Sequence, residues 1–191
     1  MSTAHLVANG QPFPPALYAK YVNTQRCPPF ADLGGQPAKV APTTGKTKAG
    51  SMEFPHMAAI GFVRDDGMIG WYCGGTLISE TFVLTTVTCT ITKVVGNATW
   101  VRVGDLNLVQ SVYGATPEDR RVAERILHPD YKHPVEYHNV ALLRLESRVP
   151  FNGWIRPACL HTSPTTGTRE AIATGWGRPE WRKSLSIIQI F

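Results

Sequence analysis

The chain has 191 residues, enough for one domain with or without an appendage, and its 43% hydrophobic and 17% charged content is that of a globular protein rather than a disordered one. No apolar run approaches the ~20 residues that a membrane-spanning helix needs, and the first residues, "MSTAHLVANGQPFPPALY", lack the basic and apolar regions of a signal peptide. The net charge of +5 is uneven, with five Lys/Arg against one acid in residues 1–52, and no segment interleaves basic and aromatic residues as a nucleic-acid surface would.

Residues 1–52 also carry seven of the fifteen prolines. Proline fixes φ and removes a backbone donor, so this arm is expected to be mostly irregular or extended, with "PPALYAKYV" as a candidate short helix. From Glu53 the texture changes to short runs rich in β-branched and aromatic residues, separated by Gly, Pro, Asn or Asp. "HMAAIGFVR" leads through the turn signal "DDG" into "MIGWYCGGTLI". "TFVLTTVT", "ATWVRV", "RVAERILH" and "NVALLRLE" follow, and no long 3.6-residue periodicity interrupts them. Six or so short strands at this spacing predict an all-β barrel or sandwich. Near the end, "AIATGWG" reads as a further strand, and "SLSIIQIF" is compatible with another.

The four cysteines are Cys27, Cys73, Cys89 and Cys159. None are in C-x-x-C spacing, which argues against a zinc or dithiol redox centre, and an even count fits two disulfides. Spacing alone leaves all three pairings open. Asn97-Ala98-Thr99 is an N-glycosylation sequon, and together with the cysteines it points to an extracellular compartment, against the missing signal peptide.

Six stretches then occur in a telling order: "EFPHMAAIGF", "WYCGGTLISETFVLTTVTC", "ILHPDY", "HNVALLRLE", "RPACL" and "ATGWGR". In that order the chain resembles the trypsin-like serine proteases, most of all the secreted arthropod branch of haemolymph proteases and their non-catalytic homologues. The resemblance covers roughly residues 43–178. It implies a chymotrypsin-like fold of two six-stranded β-barrels. The expected organisation is a Pro-rich, activation-segment-like arm over 1–42 and a peptidase domain over 43–191, its first barrel complete and its second truncated after one strand.

Chemistry in that family needs a serine nucleophile, a histidine that takes its proton, and an aspartate that orients the histidine and stabilises its cation. The histidine belongs to T-A-A-H-C, which here reads "TTVTC" and puts Thr88 in its place. A threonine hydroxyl is no base near neutral pH. The aspartate belongs to D-I-A-L-L, which here reads "NVALL" and puts Asn139 in its place. The G-D-S-G-G-P serine motif does not occur before Phe191. Of the six histidines, His56 and His128 fall at framework positions of the family, while His5, His133, His138 and His161 lie in tails or loops, so none is expected to substitute. Loss of one triad member costs roughly 10⁴–10⁶-fold in rate, so the expectation is an inactive member with no intact catalytic residue. The activation cleavage is degraded too: counting back from "EFP" puts Pro42 where a basic residue belongs, and Lys39 lies out of register.

The resemblance further implies a Cys73–Cys89 disulfide and a Cys27–Cys159 tether. That branch often carries a clip module, which needs six cysteines of its own, and with only Cys27 upstream none is expected. No cofactor or metal is expected either, since residues 105–119, which overlap a loop that binds calcium in some relatives, have a poor ligand pattern and read as a solvated loop. The function expected is that of a secreted pseudo-enzyme binding protein partners in an extracellular, innate-immune type of cascade. The alternatives are a truncated or decayed fragment, suggested by the bare start and the end "RKSLSIIQIF", and an active endopeptidase incompletely represented.

Overall fold

The computed structural model describes residues 3–4, 47–110, 112–135, 137–160, 173–176 and 189–190. In chain order the strands are β1 (Thr3–Ala4), β2 (Thr47–Lys48), β3 (Met57–Val63), β4 (Ile69–Leu77), β5 (Phe82–Thr85), β6 (Ile91–Thr92) and β7 (Gly96–Asn97). They continue with β8 (Trp100–Val103), β9 (Glu118–Leu127), β10 (Ala141–Leu145), β11 (Cys159–Leu160), β12 (Thr174–Gly175) and β13 (Gln189–Ile190). One 3-10 turn, Val87–Cys89, follows β5.

Six of these strands close into a barrel in the order β10-β5-β4-β3-β8-β9. Closure gives every strand a neighbour on each side, and the β4–β5 seam is the short one, paired at Thr76↔Leu84 and Leu77↔Val83. The "DDG" signal becomes the β3–β4 turn: Gly67 N donates to Arg64 O at 2.9 Å and Gly67 takes φ 78°, which glycine adopts without a Cβ clash. The barrel is filled by side chains of mutually facing strands, among them Ile60, Phe62, Leu77, Val83, Val101, Val103, Leu143 and Leu145, all at most 2% exposed. β3 is buried along six of its seven residues, which is why it reads as a nearly continuous apolar run.

The six predicted barrel strands form as expected, with differences at their ends. β9 begins at Glu118, three residues before the predicted run at Arg121, because its charged start finds partners across the ladder. Arg102 Nε and Asp119 Oδ1 are 2.7 Å apart, and these two residues are register partners of β8 and β9. Two-residue strands also appear, of which only β12, in "AIATGWG", and β13, in "SLSIIQIF", had a signal in the sequence. β6 and β7 make a small hairpin, β1 pairs in parallel with β11, and β12-β13-β2 form a three-stranded sheet. Gln189–Ile190 thus supplies the strand expected of "SLSIIQIF", between Thr174–Gly175 and Thr47–Lys48. The proposed "PPALYAKYV" helix lies outside the described residues.

Outside the barrel, Ala49, Phe54 and Met57 form a second buried cluster packed by Leu106 and Trp176. Trp176 Nε1 donates to Leu106 O at 3.3 Å, and Thr174 Oγ1 donates to Met57 Sδ at 3.1 Å. The "ATGWG" segment is therefore seated on the first barrel through named contacts. Among the described residues no helix is long and apolar enough to cross a membrane.

Candidate active site

β5 runs out of the barrel at Thr85, and the chain turns immediately into the Val87–Cys89 3-10 turn. Two anchors fix that turn. Val87 is buried beneath it, and Cys89 is bonded to Cys73 of β4. Thr90 Oγ1 closes the turn by donating to Val87 O at 2.8 Å. Thr88 is therefore held on the outer side of a pinned loop and is exposed.

The second half of the site comes from the far side of the barrel seam. Asn139 lies just before β10, which pairs with β5 through Ala141↔Thr85 and Leu142↔Leu84. This register brings residues 51 apart in sequence into contact: Thr88 N donates to Asn139 Oδ1 at 3.1 Å, and Asn139 Nδ2 donates to Thr88 Oγ1 at 3.3 Å. The two residues singled out in the sequence are thus joined by reciprocal hydrogen bonds. Thr86, which the sequence reading did not single out, adds a third member, its Oγ1 lying 3.0 Å from Thr88 Oγ1.

Chemically this cluster is neutral. Two hydroxyls and a carboxamide exchange hydrogen bonds, but no member takes up or releases a proton near pH 7. A general base must reach the proton it abstracts and hold a suitable pKa, and no member of the Thr86–Thr88–Asn139 cluster meets the second requirement.

Three of the described histidines, His56, His128 and His138, are engaged away from this cluster. His56 is buried beside Phe54, with ring centroids 6.2 Å apart, and desolvation pushes its pKa from 6.5 down to about 4. His128 is buried, and its Nδ1 accepts from Asp130 N at 3.1 Å. Burial and the neighbouring His138 lower its pKa, against an opposing pull from Asp130. His138, although next to Asn139 in sequence, stacks on the His128 ring at 4.6 Å and takes φ 59°. That stack also escaped the sequence reading. His133 is exposed, and His5 and His161 lie outside the described residues.

The other marked positions are placed as follows. Cys73 and Cys89 form a disulfide with Cα atoms 5.8 Å apart. Cys159 is disulfide-bonded, and Cys27 lies outside the described residues. Asn97 is exposed on β7. Within residues 105–119, Asp105 is buried and Arg102 reaches it at 3.5 Å while also binding Asp119. Burial raises the Asp105 pKa, offset by the Asn107 backbone donor and by Arg102. These two carboxylates already hold a guanidinium, and no group of three metal-ligating side chains occurs among the described residues.

Comparison with known proteins identifies the family and the fold. Residues 43–189 match the family model described as Trypsin. The chain is 40% identical over 132 residues to "Serine protease snk" of Drosophila melanogaster, covering 67% of this chain and 30% of that protein. It is 35% identical over 145 residues to "Phenoloxidase-activating factor 1" of Holotrichia diomphalia, covering 67% of this chain and 40% of that protein. Among solved structures, the Drosophila Grass clip serine protease of the Toll pathway superposes with a TM-score of 0.66 at 21% identity, over 82% of this chain and 48% of that one, a likeness of fold. The chain thus spans well under two thirds of the length of these relatives. With a closed six-stranded barrel, the Cys73–Cys89 bridge and a match across residues 43–189, the chain belongs to the trypsin family of serine proteases.

Proposed function

We propose that this chain is a non-catalytic member of its family, a secreted serine protease homologue that acts by binding proteins of an extracellular protease cascade. The observation that carries the reading is the reciprocal Thr88–Asn139 bonding, in which a neutral pair occupies the positions that the family motifs give to histidine and aspartate. Without a base at position 88 there is no acceptor for a nucleophile's proton, whatever else the whole protein contains. The names of relatives supply the cascade: one is a phenoloxidase-activating factor, another a clip protease of the Toll pathway. On this reading residues 1–42 are an arm ahead of the peptidase-like domain, and a Cys27–Cys159 bridge ties the two together.

The test has two arms on the purified full chain. The first is hydrolysis of chromogenic Arg- and Lys-peptide substrates, where no turnover above buffer is expected. The second is the activation rate of a clip-type protease zymogen by its upstream enzyme, with and without the chain. A changed rate without peptide turnover supports the reading. Turnover by the chain itself, or an unchanged activation rate, refutes it.

A further inference from the structure

We propose that Asn97 carries an N-linked glycan that is added only before the barrel closes, because folding shuts the rest of the acceptor sequence away. The sequon runs Asn97-Ala98-Thr99. Asn97 itself stays accessible after folding: it is exposed on the β6–β7 hairpin, paired with Ile91. The two residues after it do not. Ala98 is 0% exposed, its N donates to Thr90 O at 2.9 Å, and its carbonyl accepts from Arg125 Nη1 at 3.0 Å. Thr99 N donates to Gly61 O at 3.0 Å, and Thr99 O accepts from Val122 N at 2.9 Å. In the folded protein the acceptor backbone is thus bonded into the wall of the barrel.

The Thr99 hydroxyl is a second, independent pointer. Its Oγ1 is the only buried side-chain nitrogen or oxygen without a hydrogen-bond partner among the described residues. A hydroxyl shut from water with no partner is unfavourable for folding, and valine would fill the same space without that loss. The hydroxyl therefore does nothing for the folded state, whereas it completes the acceptor sequence in the unfolded chain. A glycan at Asn97 would also cover an apolar patch on its own hairpin, where Ile91 is 51% and Val94 91% exposed.

The transfer joins the Asn97 side-chain nitrogen to the anomeric carbon of a lipid-diphosphate-linked oligosaccharide. The bond from that carbon to the diphosphate breaks, the lipid diphosphate leaves, and the amide gives up one proton. The proposal rests on the secretory route proposed above, so the test supplies that route itself.

The full chain behind a secretory leader is translated in the presence of microsomes. A mobility shift removed by peptide-N-glycosidase is expected for the parent and for Thr99→Ser, and none for Asn97→Gln or Thr99→Val. Separately, the purified unglycosylated chain is offered to solubilised oligosaccharyltransferase with lipid-linked oligosaccharide, either folded and oxidised or reduced and unfolded. Modification of the unfolded chain alone is expected. No shift for the parent in microsomes overturns the site, and equal modification of folded and unfolded chain overturns the ordering. Thr99→Val should melt no lower than the unglycosylated parent; a clearly lower melting temperature overturns the claim that the hydroxyl is idle in the fold.

Discussion

At the scale of single residues, a side chain's meaning depends on where the fold puts it. His56 falls at a framework position of the family in its motif, but nothing in the sequence gives its protonation state. Burial decides what it does, keeping it neutral and lowering its pKa from 6.5 to about 4. The unfolded chain takes up the proton first, so its contribution to stability is fully present above pH 6.5 and is lost as pH falls towards 4. The loss reaches about 3 kcal/mol at the acid end. Urea unfolding between pH 7 and 4 should show this acid slope, and His56→Gln should flatten it. An unchanged slope would place the acid sensitivity elsewhere, with His128 the next group, since burial lowers its pKa as well. Thr88 and Asn139 are the opposite case. Their residue types are read directly from the sequence, but only the β5–β10 register makes them partners. Thr86 and the His128–His138 stack carried no signal, because short-range spacing does not reveal which hydroxyls or rings converge.

At the scale of elements, the barrel strands were legible because β-branched and apolar runs bounded by turn residues have one cheap solution, a strand with its apolar side inward. Their ends were not. Glu118 and Asp119 read as loop and Arg120 lay outside the predicted run, yet they pair with Val103, Arg102 and Val101 once β8 lies beside them. The β6–β7 hairpin was invisible for the same reason: Gly96 and Asn97 have poor intrinsic strand preference and form one through cross-strand contact with Ile91 and Thr92. The Cys73–Cys89 bridge is the covalent tie of this region, joining β4 to the turn that bears Thr88. It closes a loop of sequence separation 16. By loop-closure entropy it contributes about 3 kcal/mol. A Cys73→Ala/Cys89→Ala double variant should therefore unfold at distinctly lower urea, and hydrogen exchange should rise first at residues 86–90. Equal midpoints for the two proteins would show that the barrel alone sets the stability.

At the scale of the whole molecule, the six barrel strands pair in a closed ring, whereas the outer apolar cluster depends on a distant segment. Phe54 and Met57 are only 6% and 7% exposed, and Trp176 is among the side chains that cover them. Trp176→Ala should expose that cluster and cost about 1–2 kcal/mol, since the indole is only partly buried. Stronger fluorescence of an apolar dye together with a lower melting temperature is the expected result; unchanged dye binding would mean that other contacts cover the face.

The sequence by itself carried the resemblance to the family, the all-β strand pattern and the residue types at positions 88 and 139. The strand pattern follows from residue type in local order, β-branched and apolar runs bounded by turn residues, and the family resemblance from six motifs in chain order. Only the tertiary structure decided that Thr88 and Asn139 bond to each other, that Trp176 seals Phe54 and Met57, and that the Thr99 hydroxyl lies buried without a partner. Those are outcomes of strand register and barrel closure, which bring together residues that the chain holds far apart.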